Sequence, residues 1–172
     1  FVYLPYADFR TTSVRDRYIG YKKALSEYNI EFHEEWVYEL DSQYQPNGGE
    51  KLDGYIEFLE QPNRPSAVFA VSDSTAINML SAALRIGLRV PEDLAIVGFD
   101  NLGMTSQVQV PLTTINVHRT EIGSLAAQVL IDRIEGHWNS PSHITLPTEL
   151  IVRESCGARK RIRDDTSSKP AG

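Results

Sequence analysis

The 172-residue sequence has one cysteine, Cys156, which leaves no internal disulfide framework and no thiolate-bound metal centre. No stretch approaches the roughly 20 consecutive apolar residues that a bilayer-spanning helix needs. Positive charge is in short supply: 17 Lys and Arg stand against 23 Asp and Glu, a net charge of -6. Phosphate binding needs clustered cations, so this stretch is not expected to hold nucleic acid by itself. The basic run of Arg159, Lys160, Arg161 and Arg163 is followed at once by Asp164 and Asp165 and reads as a solvated tail. His33, His118, His137 and His143 are scattered through unrelated elements, with no pair at metal-ligand spacing. There is also no nucleophile elbow and no glycine loop to cradle a phosphate. No catalytic residue, metal ligand or cofactor is therefore assigned. The remaining composition, 41% hydrophobic and 23% charged, suits an ordinary globular domain.

The most informative stretch spans residues 64–101 and reads as strand, polar turn, helix, tight turn, strand and second polar turn. Residues 67–71 and 94–97 are short apolar runs of the kind found in parallel strands buried on both faces. Between them, Ser72, Asp73 or Ser74 can cap a helix whose apolar stripe is Ile77, Leu80 and Leu84 with Ala76 and Ala83. Gly87 can end that helix in the left-handed conformation, and Pro91 bars its continuation.

Upstream, residues 1–4 read as a strand. Val14, Tyr18, Tyr21, Leu25 and Tyr28 then mark an amphipathic helix, with Ser13 as cap, Asp16 in the first turn and Asn29 at its end. A weak strand over 36–40 and a helix faced by Leu52, Tyr55, Ile56 and Leu59 complete the order β, α, β, α, β, α, β. That order predicts an α/β fold with a doubly wound parallel sheet, helices on both faces and right-handed crossovers. The loops following the strands then share one edge, where such sheets bind ligands, which brings Arg17, Tyr44, Asp73 and Asp100 around a common crevice. Downstream lie an extended run at 113–117, a helix faced by Ile122, Leu125, Ala126, Val129, Leu130 and Ile134, and further extended residues from 144 to 152. Residues 157–172 have the composition of a disordered tail.

Each candidate has a structural and a functional reading. Asp73 is a good helix cap as well as a possible ligand group. Asp100 follows Gly98, which allows close backbone approach, and its carboxylate can accept from neighbouring sugar hydroxyls or an amine. Arg17 is either a solvated helix residue or a fork of donors for hydroxyls, a carboxylate or a phosphate. Tyr44 is either a turn aromatic or a stacking platform with a hydroxyl.

At these positions the sequence resembles the lactose-repressor/galactose-repressor family of bacterial transcription regulators. The resemblance is carried by R-Y-I-G-Y at 17–21, S-D at 72–73, G-L-R-V-P-E-D-L at 87–94, G-F-D-N at 98–101, P-L-T-T-I at 111–115 and L-I-V-R-E-S at 150–155. It implies a periplasmic-binding-protein-like core of two subdomains. Residues 1–112 would be the C-terminal subdomain, 113–147 a crossover and helix of the N-terminal subdomain, and 148–156 a return strand. It also implies that Arg17, Ser72, Asp73 and Asp100 hold or shape an effector site, with Tyr44 as its stacking aromatic and Ser13 as a further contact.

The expected function is ligand sensing for a cytoplasmic transcriptional repressor, with a sugar or similar small polar metabolite as effector. DNA contact would come only through an N-terminal domain outside this stretch, which is expected to begin within a domain. A homodimer using residues 76–86 and 104–110 is expected, and no membrane partner. The chief rival is a solute-binding protein of a sugar transporter. A small α/β enzyme has only the cleft carboxylates in its favour.

Overall fold

A computed structural model describes residues 1–3, 12–39, 52–137 and 143–158. The elements are β1 (Val2–Tyr3), α1 (Thr12–Glu27), β2 (Tyr38–Glu39), α2 (Asp53–Leu59), β3 (Ala67–Phe69), α3 (Asp73–Arg85), β4 (Ala95–Phe99), β5 (Thr113–Asn116), α4 (Arg119–Ile134) and β6 (Glu149–Ile151). Strands β1 and β2 pair in parallel, as do β3, β4 and β5, while β6 joins β5 antiparallel. A parallel bridge between Val2 and Ala70 and a 2.9 Å bond from Val71 N–H to Val2 O align the two sheets. The strands thus run β2, β1, β3, β4, β5, β6, a doubly wound order whose switch point lies between β1 and β3.

Helices end where left-handed residues allow. At Asn29 (φ 55°) the N–H bonds Ser26 O at 3.1 Å and the Ile30 N–H bonds Leu25 O at 2.8 Å. Gly87 (φ 81°) closes α3 in the same way, through Leu84 O at 3.1 Å and, from Leu88 N–H, Ala83 O at 2.9 Å. Both are paired carbonyl-capping turns that satisfy otherwise orphaned groups. The start of α1 differs from expectation: the helix includes Thr12, so Ser13 lies inside it and is not its cap, and Asp16 falls outside the first turn. Three adjacent hydroxyl residues at 11–13 offer alternative starts that sequence alone does not rank.

The core lies on one side of the sheet. Tyr55, Phe58 and Leu59 of α2 and Ala76, Met79, Leu80 and Ala83 of α3 pack on Val68, Leu94, Ile96 and Leu112. The α3 stripe is therefore rotated from the expected one, with Met79 fully buried and Ile77 and Leu84 only half-buried. Side chains of this size contribute about 1.5–3 kcal/mol each when fully buried.

Strand β4 is not covered on both faces as its apolar run suggested. Ile96 and Gly98 are buried whereas Ala95, Val97 and Phe99 are half-buried. On that second face α1 contributes Val14 to a small cluster with Phe1 and Val71 beside β1, which leaves the surface of β4 partly open. Helix α4 buries none of its residues, and Ile122, Leu130, Ile131 and Ile134 are exposed.

Candidate functional site

The carboxyl ends of β3 and β4 and the second turn of α1 bring Arg17 and Asp100 together. Arg17 Nη1 donates to Val71 O at 2.6 Å, Nη2 donates to Asp100 Oδ1 at 3.2 Å, and the guanidinium lies 3.9 Å from the Phe99 ring centre. The two side chains are 19% and 28% exposed, so the pair is shielded yet reachable by a ligand. Burial lowers the Arg17 pKa against the opposing fields of Asp100 and Asp73. Burial likewise raises Asp100 above the ordinary 3.8, opposed by Arg17 and by Arg119 of α4. Among the described residues Asp100 Oδ2 accepts no hydrogen bond, so it has acceptor capacity left for a hydroxyl or an amine.

Beside this pair is an open cavity of about 600 Å³ between α1 and the half-covered sheet face. Phe69, Phe99 and Ile115 supply an apolar wall, and Ser13, Asp16 and Arg17 a polar rim. A few polar groups over an apolar surface is the usual build of a small-molecule site.

The other sequence candidates take different places. Ser72 is the cap of α3: its Oγ accepts from Thr75 N–H at 3.3 Å and shares a 3.1 Å bond with the Thr75 hydroxyl. Asp73 is therefore not the cap, and it does not reach the cavity surface. It is fully buried, Oδ1 accepting from the Thr114 hydroxyl at 2.5 Å and Oδ2 from Leu102 N–H at 2.7 Å. Burial raises its pKa, while those two bonds and the field of Arg153 oppose the rise. Gly98 makes room for it, since a Cβ there would collide with Asp73 Oδ1 and sit 3.2 Å from Ala76 and Leu112 carbons. Asp73 thus ties α3 to the loop after β4 and to β5. Ser13 sits at the cavity rim, and Tyr44 lies outside the described residues, as does the tail from 159.

Sequence reasoning missed Asn101, Arg119 and Arg153. Arg119 Nη2 donates to Asn101 O at 3.1 Å and Arg153 Nη2 to Asn101 Oδ1 at 2.9 Å. Only the G-F-D-N motif hinted at Asn101 and only L-I-V-R-E-S at Arg153, neither with a role, and nothing in the pattern around Arg119 marked it. Among the described residues no group of His, Cys, Asp and Glu could hold a metal ion, and no helix is long and apolar enough to cross a membrane.

A family model described as periplasmic binding protein-like domain matches residues 1–156. The chain is 35% identical over 150 residues to an HTH-type transcriptional repressor PurR of Glaesserella parasuis, with 84% of this chain and 43% of that protein covered. To the ribose operon repressor of Haemophilus influenzae it is 34% identical over 148 residues, covering 86% and 43%. Among solved structures, a LacI family transcriptional regulator from Enterococcus faecium with bound ribose superposes with a TM-score of 0.74 at 28% identity, covering 90% of this chain and 55% of that one. A transcriptional regulator CelR–cellobiose complex gives 0.65 at 33% identity, covering 79% and 40%. The chain spans less than half the length of the two curated relatives.

Proposed function

The chain belongs to the periplasmic binding protein-like domain family, and on that premise we propose that it is the effector-sensing part of a DNA-binding transcriptional repressor. The effector is a sugar or similarly small polar metabolite, held against Arg17 and Asp100 with Ser72, Ser13 and Tyr44 around it and Asp73 supporting the wall. The observation that carries the reading is the shielded Arg17–Asp100 pair beside an apolar cavity at the carboxyl edge of the sheet. Relatives and neighbours named as transcriptional repressors or regulators, three of the four with ribose or cellobiose in their names or titles, support it over a transporter's solute-binding protein or an enzyme.

Residues 1–112 form one wall of the cleft, 113–147 cross to a second subdomain and 148–156 return. The unburied apolar face of α4 supports that division. A ligand bridging two subdomains favours one relative orientation by its differential affinity, and linked DNA-binding heads follow that shift. Homodimerisation uses residues 76–86 and 104–110, between which Leu80, Leu84, Arg85 and Val108 line a groove of about 420 Å³.

The test is a thermal-shift screen of the full-length protein against D-ribose, cellobiose, nucleobases and amino acids. A sugar should raise the unfolding temperature and change affinity for DNA taken from upstream of the protein's own gene. A sugar-blind protein stabilised only by another class would overturn the effector assignment.

A further inference from the structure

Asp100 and Asn101 both hold left-handed backbone, with φ of 108° and 51°. Non-glycine residues stay there only where their surroundings fix them. Three main-chain donors are fixed in succession: Asp100 N–H to Ile115 O at 2.9 Å, Asn101 N–H to Thr114 Oγ1 at 3.3 Å and Leu102 N–H to Asp73 Oδ2 at 2.7 Å. Arg119 holds the Asn101 carbonyl. Among the described residues the Asn101 side chain has one partner from a distant part of the chain, Arg153, just beyond β6. The same guanidinium donates through Nη1 to Leu112 O at 2.7 Å and to Thr105 Oγ1 at 3.1 Å, so one planar fork joins both ends of the segment from 101 to 112.

We infer that Arg153 is a positioning residue for Asp100: by clamping Asn101 to Leu112 and Thr105 it maintains the left-handed turn that aims the Asp100 carboxylate at Arg17. The inference rests on the ligand role proposed above for Asp100. It makes the path of the chain entering β6 part of the site, because a displacement of residues 149–153 pulls on Asn101 directly. Lysine cannot replace Arg153, since a point ammonium lacks the rigid fork that reaches three acceptors at once.

The readout needs no ligand. The Asp100 side-chain carboxyl carbon is titrated by NMR in the full-length protein, in Arg153→Lys and in Asn101→Gly. The charged groups facing Asp100 are Arg17 of α1, Arg119 of α4 and Asp73 of α3, and all three remain in both variants. Released from the clamp, the carboxylate meets more water and loses the burial that outweighs Arg17 and Arg119, so its raised midpoint falls toward the ordinary value in both variants. Glycine lacks the amide that Arg153 holds and populates left-handed and other backbone about equally, so Asn101→Gly stays folded while nothing but the main chain holds its turn, and it decides the matter if Arg153→Lys does not fold. An unchanged midpoint in folded Asn101→Gly overturns the inference. Undiminished sugar binding by Asp100→Ala would instead strike the ligand reading while leaving the clamp intact.

Discussion

Replacing Gly98 with alanine tests the packing around Asp73 through a double-mutant cycle. The added methyl meets the Asp73 carboxylate oxygen first, with carbons of Ala76 and Leu112 at 3.2 Å on its other sides, so it has no empty space to enter. Overpacking of this kind costs about 1–3 kcal/mol. Pushing the carboxylate aside also weakens at least one of its bonds to Thr114 and Leu102, worth about 1.5–3 kcal/mol for a charged acceptor. Gly98→Ala should therefore lose roughly 3–5 kcal/mol, a large share of the ~5–15 kcal/mol typical of a folded domain. Asp73→Ala alone should lose about 2–4 kcal/mol, because it strands the Leu102 N–H. In the double variant the methyl added at position 98 occupies the volume the carboxylate has left. The total should then fall short of the sum by about 2 kcal/mol. Urea unfolding of the four proteins supplies all the terms. Additivity within about 0.5 kcal/mol would show that Gly98 and Asp73 do not share the space assigned to them.

Two further outcomes follow from the same region. Ser72→Ala should destabilise by about 1 kcal/mol and Ser72→Thr by much less, since the cap bond to Thr75 N–H is what the hydroxyl supplies and threonine keeps it; equal losses in chemical denaturation would contradict that. Burial holds the Asp73 carboxyl above 3.8 in the folded chain, so the folded state keeps its proton to higher pH than the unfolded state does. This group's contribution to stability therefore falls as pH rises from 3.8 through its folded value. Asp73→Asn should flatten that decline in urea midpoints measured across the window, and an unaltered slope would refute it.

Much of this was legible in the sequence because it is local. Asn29 and Gly87 end helices through bonds within six residues, and the alternation of apolar runs with helical stripes marks the α/β class and its parallel strands. Arg17 and Asp100 could be paired across the chain because doubly wound sheets gather strand-end loops at one edge. What escaped depends on partners far apart in sequence. Asp73 reads as a helix cap, yet Ser72 takes that place and frees Asp73 for Thr114, 41 residues away. The Arg153 fork reaches 52 residues back to Asn101, and no periodicity encodes such a contact. The half-open face of β4 was missed because an apolar run reports what a strand can bury and not what arrives to cover it.

The central claim is that Arg17 and Asp100 hold the effector, and calorimetry on the full-length protein with the sugar that most raises its unfolding temperature tests it directly. Each of Arg17→Ala and Asp100→Ala should weaken binding by about tenfold or more, the loss of at least one charge-assisted hydrogen bond, while DNA affinity without sugar stays unchanged. Unaltered sugar affinity in both folded variants would contradict the account.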